Sequence, residues 1–132
     1  MSMPYILLAE DDEDLRLLYS LFLQMKGFQV TSVPDGQAAY EEALQHRPDI
    51  ILTDIAMPRL DGLELLRLVK GEKSLANLPV VVMTAFGKAR LAMAKRMGAD
   101  LTIEKPLDEE ELYRALQQVI SNPSTDEHLS HS

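Results

Sequence analysis

Five positions carry the chemistry in this sequence: the adjacent acids Glu10 and Asp11, the aspartate Asp54, the hydroxyl of Thr84 and the ammonium of Lys105. Three carboxylates brought together repel and raise one another's proton affinity, so the set makes sense around a divalent cation. Glu10, Asp11 and Asp54 supply three negative charges, and one Mg²⁺ with Lys105 supplies three positive ones. Mg²⁺ takes oxygen ligands in octahedral geometry, keeps several waters and commonly shares a substrate phosphate, which suits a few carboxylates on neighbouring loops. A carboxylate in such a site can attack phosphorus and form an acyl phosphate. Thr84 would then donate a hydrogen bond, and Lys105 a charge, to the phosphoryl oxygens. The positions lie far apart in sequence, so this chemistry needs a fold that collects them.

The pattern around them supplies one. Short apolar runs occur at 6–9, 28–32, 49–53, 80–84 and 101–104, and each reads as a strand. Between them lie segments of helical length with apolar residues three and four apart: Leu15, Leu18, Phe22 and Met25; Ala39, Ala43 and Leu44; Leu63, Leu66 and Val69. A fourth, at 89–97, is rich in Ala and Met, with Met93 and Met97 expected to pack; a fifth carries Leu112, Leu116, Val119 and Ile120. Gly27, Pro48, Pro79 and Gly98 fall where helices should stop, and Asp35 and Asp108 where helices should be capped. The order is (βα)5, and the unbroken apolar runs "IIL" and "VVVM" favour a parallel sheet covered by helices on both faces.

In such open α/β sheets ligands bind beyond the carboxyl ends of the strands, where the strand order reverses. Glu10 and Asp11 follow the first strand, Asp54 the third, Thr84 closes the fourth and Lys105 follows the fifth, whereas the second ends in Val33 and Pro34. A strand order of 2-1-3-4-5 puts that chemically silent strand at an edge. Asp12, Glu13 and Asp14 are explained by the favourable field at a helix N-terminus, and His46, His128 and His131 by solvated positions.

Composition limits the remaining possibilities. A chain of 132 residues suits one domain with a substantial core. Net charge of -8 argues against direct binding to nucleic acid or an anionic membrane. With no cysteine there is neither a disulfide framework nor a thiolate metal site. No leader-like segment and no apolar run near the roughly 20 residues of a membrane span is present. The expectation is a cytoplasmic protein with a domain over 1–121 and a disordered tail or linker stub over 122–132.

The segments "LLAEDDEDLR", "ILTDIAMPRLDG", "VVVMTA" and "IEKPL" resemble, in order and spacing, the four signature segments of the receiver domain of bacterial two-component response regulators. The likeness, closest in plan to single-domain chemotaxis regulators, spans residues 5 to 121. It implies a flavodoxin-like, doubly wound fold with five parallel strands. It also implies that Asp54 is the phosphoacceptor, that Glu10, Asp11 and Asp54 hold Mg²⁺ with the Ala56 backbone carbonyl, and that Thr84 and Lys105 bind the phosphoryl group. The donor would be a phosphohistidine on a sensor histidine kinase or a histidine phosphotransfer protein. The chain would not be an enzyme beyond Mg²⁺-dependent self-phosphorylation and slow self-dephosphorylation. Its output would be phosphorylation-dependent contact with a downstream protein through the face made by the fourth helix, fifth strand and fifth helix. The resemblance further implies a cis peptide bond before Pro106.

One position departs from the resemblance: Thr102, three residues before Lys105, stands where the family usually carries an aromatic ring. The signal is then expected to pass through the loop after Thr84, including Phe86, and the start of the fourth helix. Two other functional classes compete. An aspartyl phosphatase of the haloacid dehalogenase kind wants a second Asp two residues after its nucleophile, where this chain has Ala56, and a dinucleotide enzyme wants a Gly-rich turn in place of "AEDDED". A phosphate-independent interaction module with the same fold is the live alternative, though it gives no reason to keep Asp54, Thr84 and Lys105 together.

Overall fold

The expected apolar runs, too short for buried helices, form five strands in the computed structural model, which describes residues 3–121 apart from Phe86 and Leu107. They are β1 (Tyr5–Ala9), β2 (Gln29–Val33), β3 (Ile50–Asp54), β4 (Val80–Thr84) and β5 (Leu101–Glu104). Helices α1 (Glu13–Met25), α2 (Gly36–Gln45), α3 (Gly62–Gly71), α4 (Lys88–Arg96) and α5 (Glu109–Ser121) alternate with them. The strands pair in parallel in the order β2-β1-β3-β4-β5. The expected tail over 122–132, with His128 and His131, lies outside the described residues, as does Phe86 on the expected signalling route. Among the described residues no helix is long and apolar enough to cross a membrane.

Central strands β3 and β4 are buried along their whole length, as a parallel sheet with helices on both faces requires. Side chains alternate between the faces with a period of two. Leu7, Ile51, Val80 and Val82 pack with Ala39 and Ala43 of α2, Leu65, Leu66 and Val69 of α3 and Ala94 of α4. Ile6, Leu8, Leu52, Val81 and Met83 pack on the other side with Tyr19 and Leu23 of α1 and Leu112 and Leu116 of α5. Side chains cap the starts of four helices, α4 having none. Asp12, Asp35 and Asp61 accept the backbone N–H of Leu15, Ala38 and Glu64 at 3.0, 2.8 and 2.9 Å. At α5 the carboxylate of Glu111 accepts the Asp108 N–H at 3.2 Å, the returning half of a capping box.

Three helices differ from the sequence expectation. In α1 the buried residues are Tyr19, Ser20 and Leu23, with Leu15 and Phe22 packed at their edge, while Leu18 and Met25 are 48% and 85% exposed. Leu17 and Leu21 are exposed too, so apolar residues nearly encircle this helix and spacing alone does not select its inner face. In α4 Met97 packs against the core as expected, but Met93 is half exposed, and Ala94 is the one buried residue of the helix. On α2 Leu44 likewise turns to solvent. The strand boundaries shift by one residue at β2 and β3, which makes Asp54 the last residue of its strand.

Candidate functional site

With β2 on one side of β1 and β3 on the other, successive crossovers leave β1 in opposite directions, and a crevice opens at the carboxyl ends of β1 and β3. Glu10, directly after β1, is 1% exposed, and Asp54, closing β3, is 6% exposed. The Lys105 ammonium, directly after β5, reaches between them, 2.7 Å from Glu10 Oε1 and 2.8 Å from Asp54 Oδ2. Three strand ends that are far apart in sequence thus meet in one ion-pair network. Asp11, beside Glu10, is exposed. One carboxylate oxygen from each of Glu10, Asp11 and Asp54 lies within 4.8 Å of the others.

Backbone contacts fix the carboxylates. The second oxygen of Glu10, Oε2, accepts the Asp12 N–H at 3.1 Å, and the Glu10 carbonyl accepts Arg16 Nη1 at 2.8 Å. Asp54 Oδ1 accepts the N–H of Ala56 at a long 3.4 Å. Thr84 is buried at the end of β4, and its carbonyl accepts the Lys105 N–H at 2.8 Å, which ties the β4 and β5 ends together. The Lys105–Pro106 peptide is cis, as the resemblance implied.

The loop from β3 to α3 folds back over Asp54, and its residues explain how. Gly62 donates its N–H to the Ile55 carbonyl at 2.8 Å, and a Cβ on Gly62 would stand 2.2 Å from the Asp54 carbonyl oxygen. Only glycine permits that approach. Arg59 takes a left-handed conformation, φ 67°, and its guanidinium pairs with the buried Asp35 carboxylate at 3.1 Å. The Gly36 N–H then bonds the Leu60 carbonyl at 3.0 Å, so the start of α2 clamps the loop. The sequence reading did not single out Asp61 as a cap or Asp35 as the Arg59 partner. "RLDG" holds the cap signal, an Asp before a helical apolar pattern. Nothing in the sequence marks the Arg59 pair.

Electrostatics follow from this packing. Burial pushes the Glu10 carboxyl above its ordinary value against the opposing pull of Lys105. Burial alone would lower Lys105, but its hydrogen bonds to Asp54 and Glu10 outweigh it and hold the ammonium above its ordinary value. Three carboxylates and one ammonium leave two uncompensated charges, and the donors are all hard oxygens within reach of one another. The side chains fit a divalent cation of the Mg²⁺ type.

Comparison with known proteins agrees with this geometry. The family model described as the response regulator receiver domain matches residues 6–117. The transcriptional regulatory protein RprY of Bacteroides fragilis is 34% identical over 116 residues, covering 87% of this chain and 48% of its own length. This chain spans about half the length of the first curated relatives it matches. Sporulation initiation phosphotransferase F of Bacillus subtilis is 29% identical over 116 residues, covering 87% of this chain and 92% of its own. Among solved structures, the receiver domain of sensor histidine kinase PA1611 from Pseudomonas aeruginosa, with a magnesium ion coordinated in its active site cleft, superposes with a TM-score of 0.85 at 30% identity. That superposition covers 92% of this chain and all of the other.

Proposed function

From the premise that the chain belongs to the response regulator receiver domain family, a family of phospho-accepting signalling switches, we propose that Asp54 is its acceptor and Lys105 its phosphoryl-binding cation. The observation that carries this reading is the bridge of Lys105 Nζ between Glu10 Oε1 and Asp54 Oδ2 at 2.7 and 2.8 Å. It holds the lysine at the acceptor through Oδ2, while Asp54 Oδ1 accepts the Ala56 N–H at a long 3.4 Å. In the transfer, a lone pair of Asp54 Oδ1 forms the new P–O bond while the P–N bond of a donor phosphohistidine breaks, its electrons staying on the imidazole nitrogen. Hydrolysis reverses the gain: water displaces the carboxylate from phosphorus and inorganic phosphate leaves. While Asp54 carries the phosphoryl group, Lys105 exchanges part of its pairing with Asp54 for a phosphoryl oxygen, and the Thr84 hydroxyl donates to another.

Glu10, Asp11 and Asp54 are the residues that would hold Mg²⁺, with the Ala56 carbonyl as a further oxygen donor. When bound, the ion supplies the positive charge that phosphoryl oxygens need beside three carboxylates. The proposed donors are a sensor histidine kinase or a histidine phosphotransfer protein, and acetyl phosphate is the matching small-molecule donor for self-phosphorylation. The proposed receiver unit is 1–121, it acts in the cytoplasm, and its output is a phosphorylation-dependent protein contact over α4, β5 and α5.

Intact-mass measurement after incubation with acetyl phosphate and Mg²⁺ tests this. One phosphoryl increment is expected, absent in Asp54→Asn, absent with a chelator and reduced in Lys105→Ala. Undiminished labelling of Asp54→Asn moves the acceptor elsewhere. A wild-type chain that takes no phosphoryl group from either acetyl phosphate or a phosphohistidine donor is instead a phosphate-independent module.

A further inference from the structure

β5 pairs with β4 on one side and, among the described residues, has no strand on the other. On that open side lies a groove of about 380 Å³, lined by all four residues of β5, by Pro106 and by Glu111, Ala115 and Gln118 of α5. Those three are four and three apart, so they form one helix face beside the edge, while Leu112 and Leu116 turn to the sheet. Every second residue of such an edge strand directs its N–H and C=O outward. Edges are usually blunted by an outward lysine, a proline within the strand or a bulge. Here Lys105 is turned in to Glu10 and Asp54, and β5 itself, Leu101 to Glu104, holds neither lysine nor proline, its one charged side chain being the acid Glu104.

We propose that this groove receives an extended, basic segment of a partner protein as a sixth strand, seated between β5 and α5. Charge selects the occupant. Glu104 is exposed and has no ion-pair partner among the described residues, Glu111 accepts the Asp108 N–H, and no lysine or arginine is among the described residues that line the groove. The backbone edge supplies ladder hydrogen bonds, and the α5 face, with the small Ala115 at its centre, admits alternate side chains of the added strand. The chain's own residues 122–132 are a poor occupant, because they hold Asp126 and Glu127 and neither Lys nor Arg. The inference rests on the receiver reading only in taking the segment to belong to a downstream protein.

The test uses the full ¹⁵N-labelled chain and the extended hexapeptide acetyl-(Lys-Val)₃-amide. Amide shifts are expected at 101–104 and along 111–118. They should vanish with the fully N-methylated peptide, which cannot donate to a ladder, and Glu104→Gln and Glu111→Gln should each weaken binding about two- to fivefold. Shifts centred on the acidic start of α1, binding that survives N-methylation, or no saturable binding overturns the proposal. Acetyl phosphate labelling of the same preparation reports on Asp54 alone, so failure of the groove and failure of the acceptor are read separately.

Discussion

At the scale of single residues the acids of the cluster are not equivalent, and the structure separates them. From the sequence, removing a charge at either Asp11 or Asp54 is expected to stabilise the metal-free protein, since clustered carboxylates repel. Asp11 fits that expectation: it is exposed and lies within 4.8 Å of two other carboxylates. Asp54 does not, because it is buried and accepts Lys105 at 2.8 Å. Replacing it by Asn relieves repulsion with Glu10 but strips one partner from an ammonium whose side chain is 8% exposed. Breaking one partner of a buried pair costs more than an exposed repulsion returns. Asp11→Asn should therefore raise the melting temperature in the absence of Mg²⁺, and Asp54→Asn should lower it or leave it unchanged. Thermal melts in chelator decide it; a clear rise for Asp54→Asn would show that repulsion, rather than the Lys105 pair, dominates the site.

The elements that carry these residues were legible in the sequence to different degrees. Strand order and strand ends could be read because buried parallel strands are unbroken apolar runs and because Val33 and Pro34 leave β2 chemically silent. The inward face of α1 could not, since Leu17, Leu18, Leu21 and Met25 give the exposed side the same apolar character as the buried one. Nor could the fold-back of the β3–α3 loop, which depends on contacts of Asp35 and Gly36 at the start of α2 with Arg59 and Leu60 of the loop that no local pattern encodes. Two glycines of α3 test that fold-back. In Gly62→Ala the new Cβ would meet the Asp54 carbonyl at 2.2 Å, so overpacking should cost about 1–3 kcal/mol and impair phosphoryl acceptance. At Gly71 nothing lies within 4 Å of a new Cβ, and Gly71→Ala should be neutral or stabilise by up to about 1 kcal/mol. Equal effects in denaturant titrations would remove the close approach as the reason for Gly62. A second test concerns Thr102, which pairs with Val82 on the α4 side of the sheet and is too small for an aromatic switch. With Ala94 as its one buried residue and no side chain capping its start, α4 is the element held least firmly beside Thr84. Beryllofluoride, a phosphoryl mimic, should shift amides of 87–97 more than those of β5; the reverse pattern would return the signal to the fifth strand.

Across the whole molecule, charge and stability are linked through the same site. The chain carries a formal charge of -8, and any cation screens that self-repulsion to some degree, so a melting shift with Mg²⁺ has two sources. General screening depends on ionic strength and is matched by NaCl, whereas site binding adds RT ln(1 + [L]/Kd) to the folded state alone. At tenfold excess over Kd that term is about 1.4 kcal/mol, equivalent to roughly 3–6 °C for a domain of this size. The two sources also respond differently to substitution. Asp11→Asn changes the net charge by one in eight and leaves screening nearly intact, but it removes one of the three carboxylates within 4.8 Å of one another. In buffers held at constant ionic strength with NaCl, Mg²⁺ should raise the melting temperature of the wild-type chain, and the increment should shrink several-fold at equal Mg²⁺ in Asp11→Asn. Glu13→Gln, on the exposed first turn of α1, removes the same charge outside the cluster and should keep the full increment. An increment that NaCl reproduces, or that Glu13→Gln reduces as much as Asp11→Asn, would assign the effect to the protein's overall field and leave the three carboxylates as local structure.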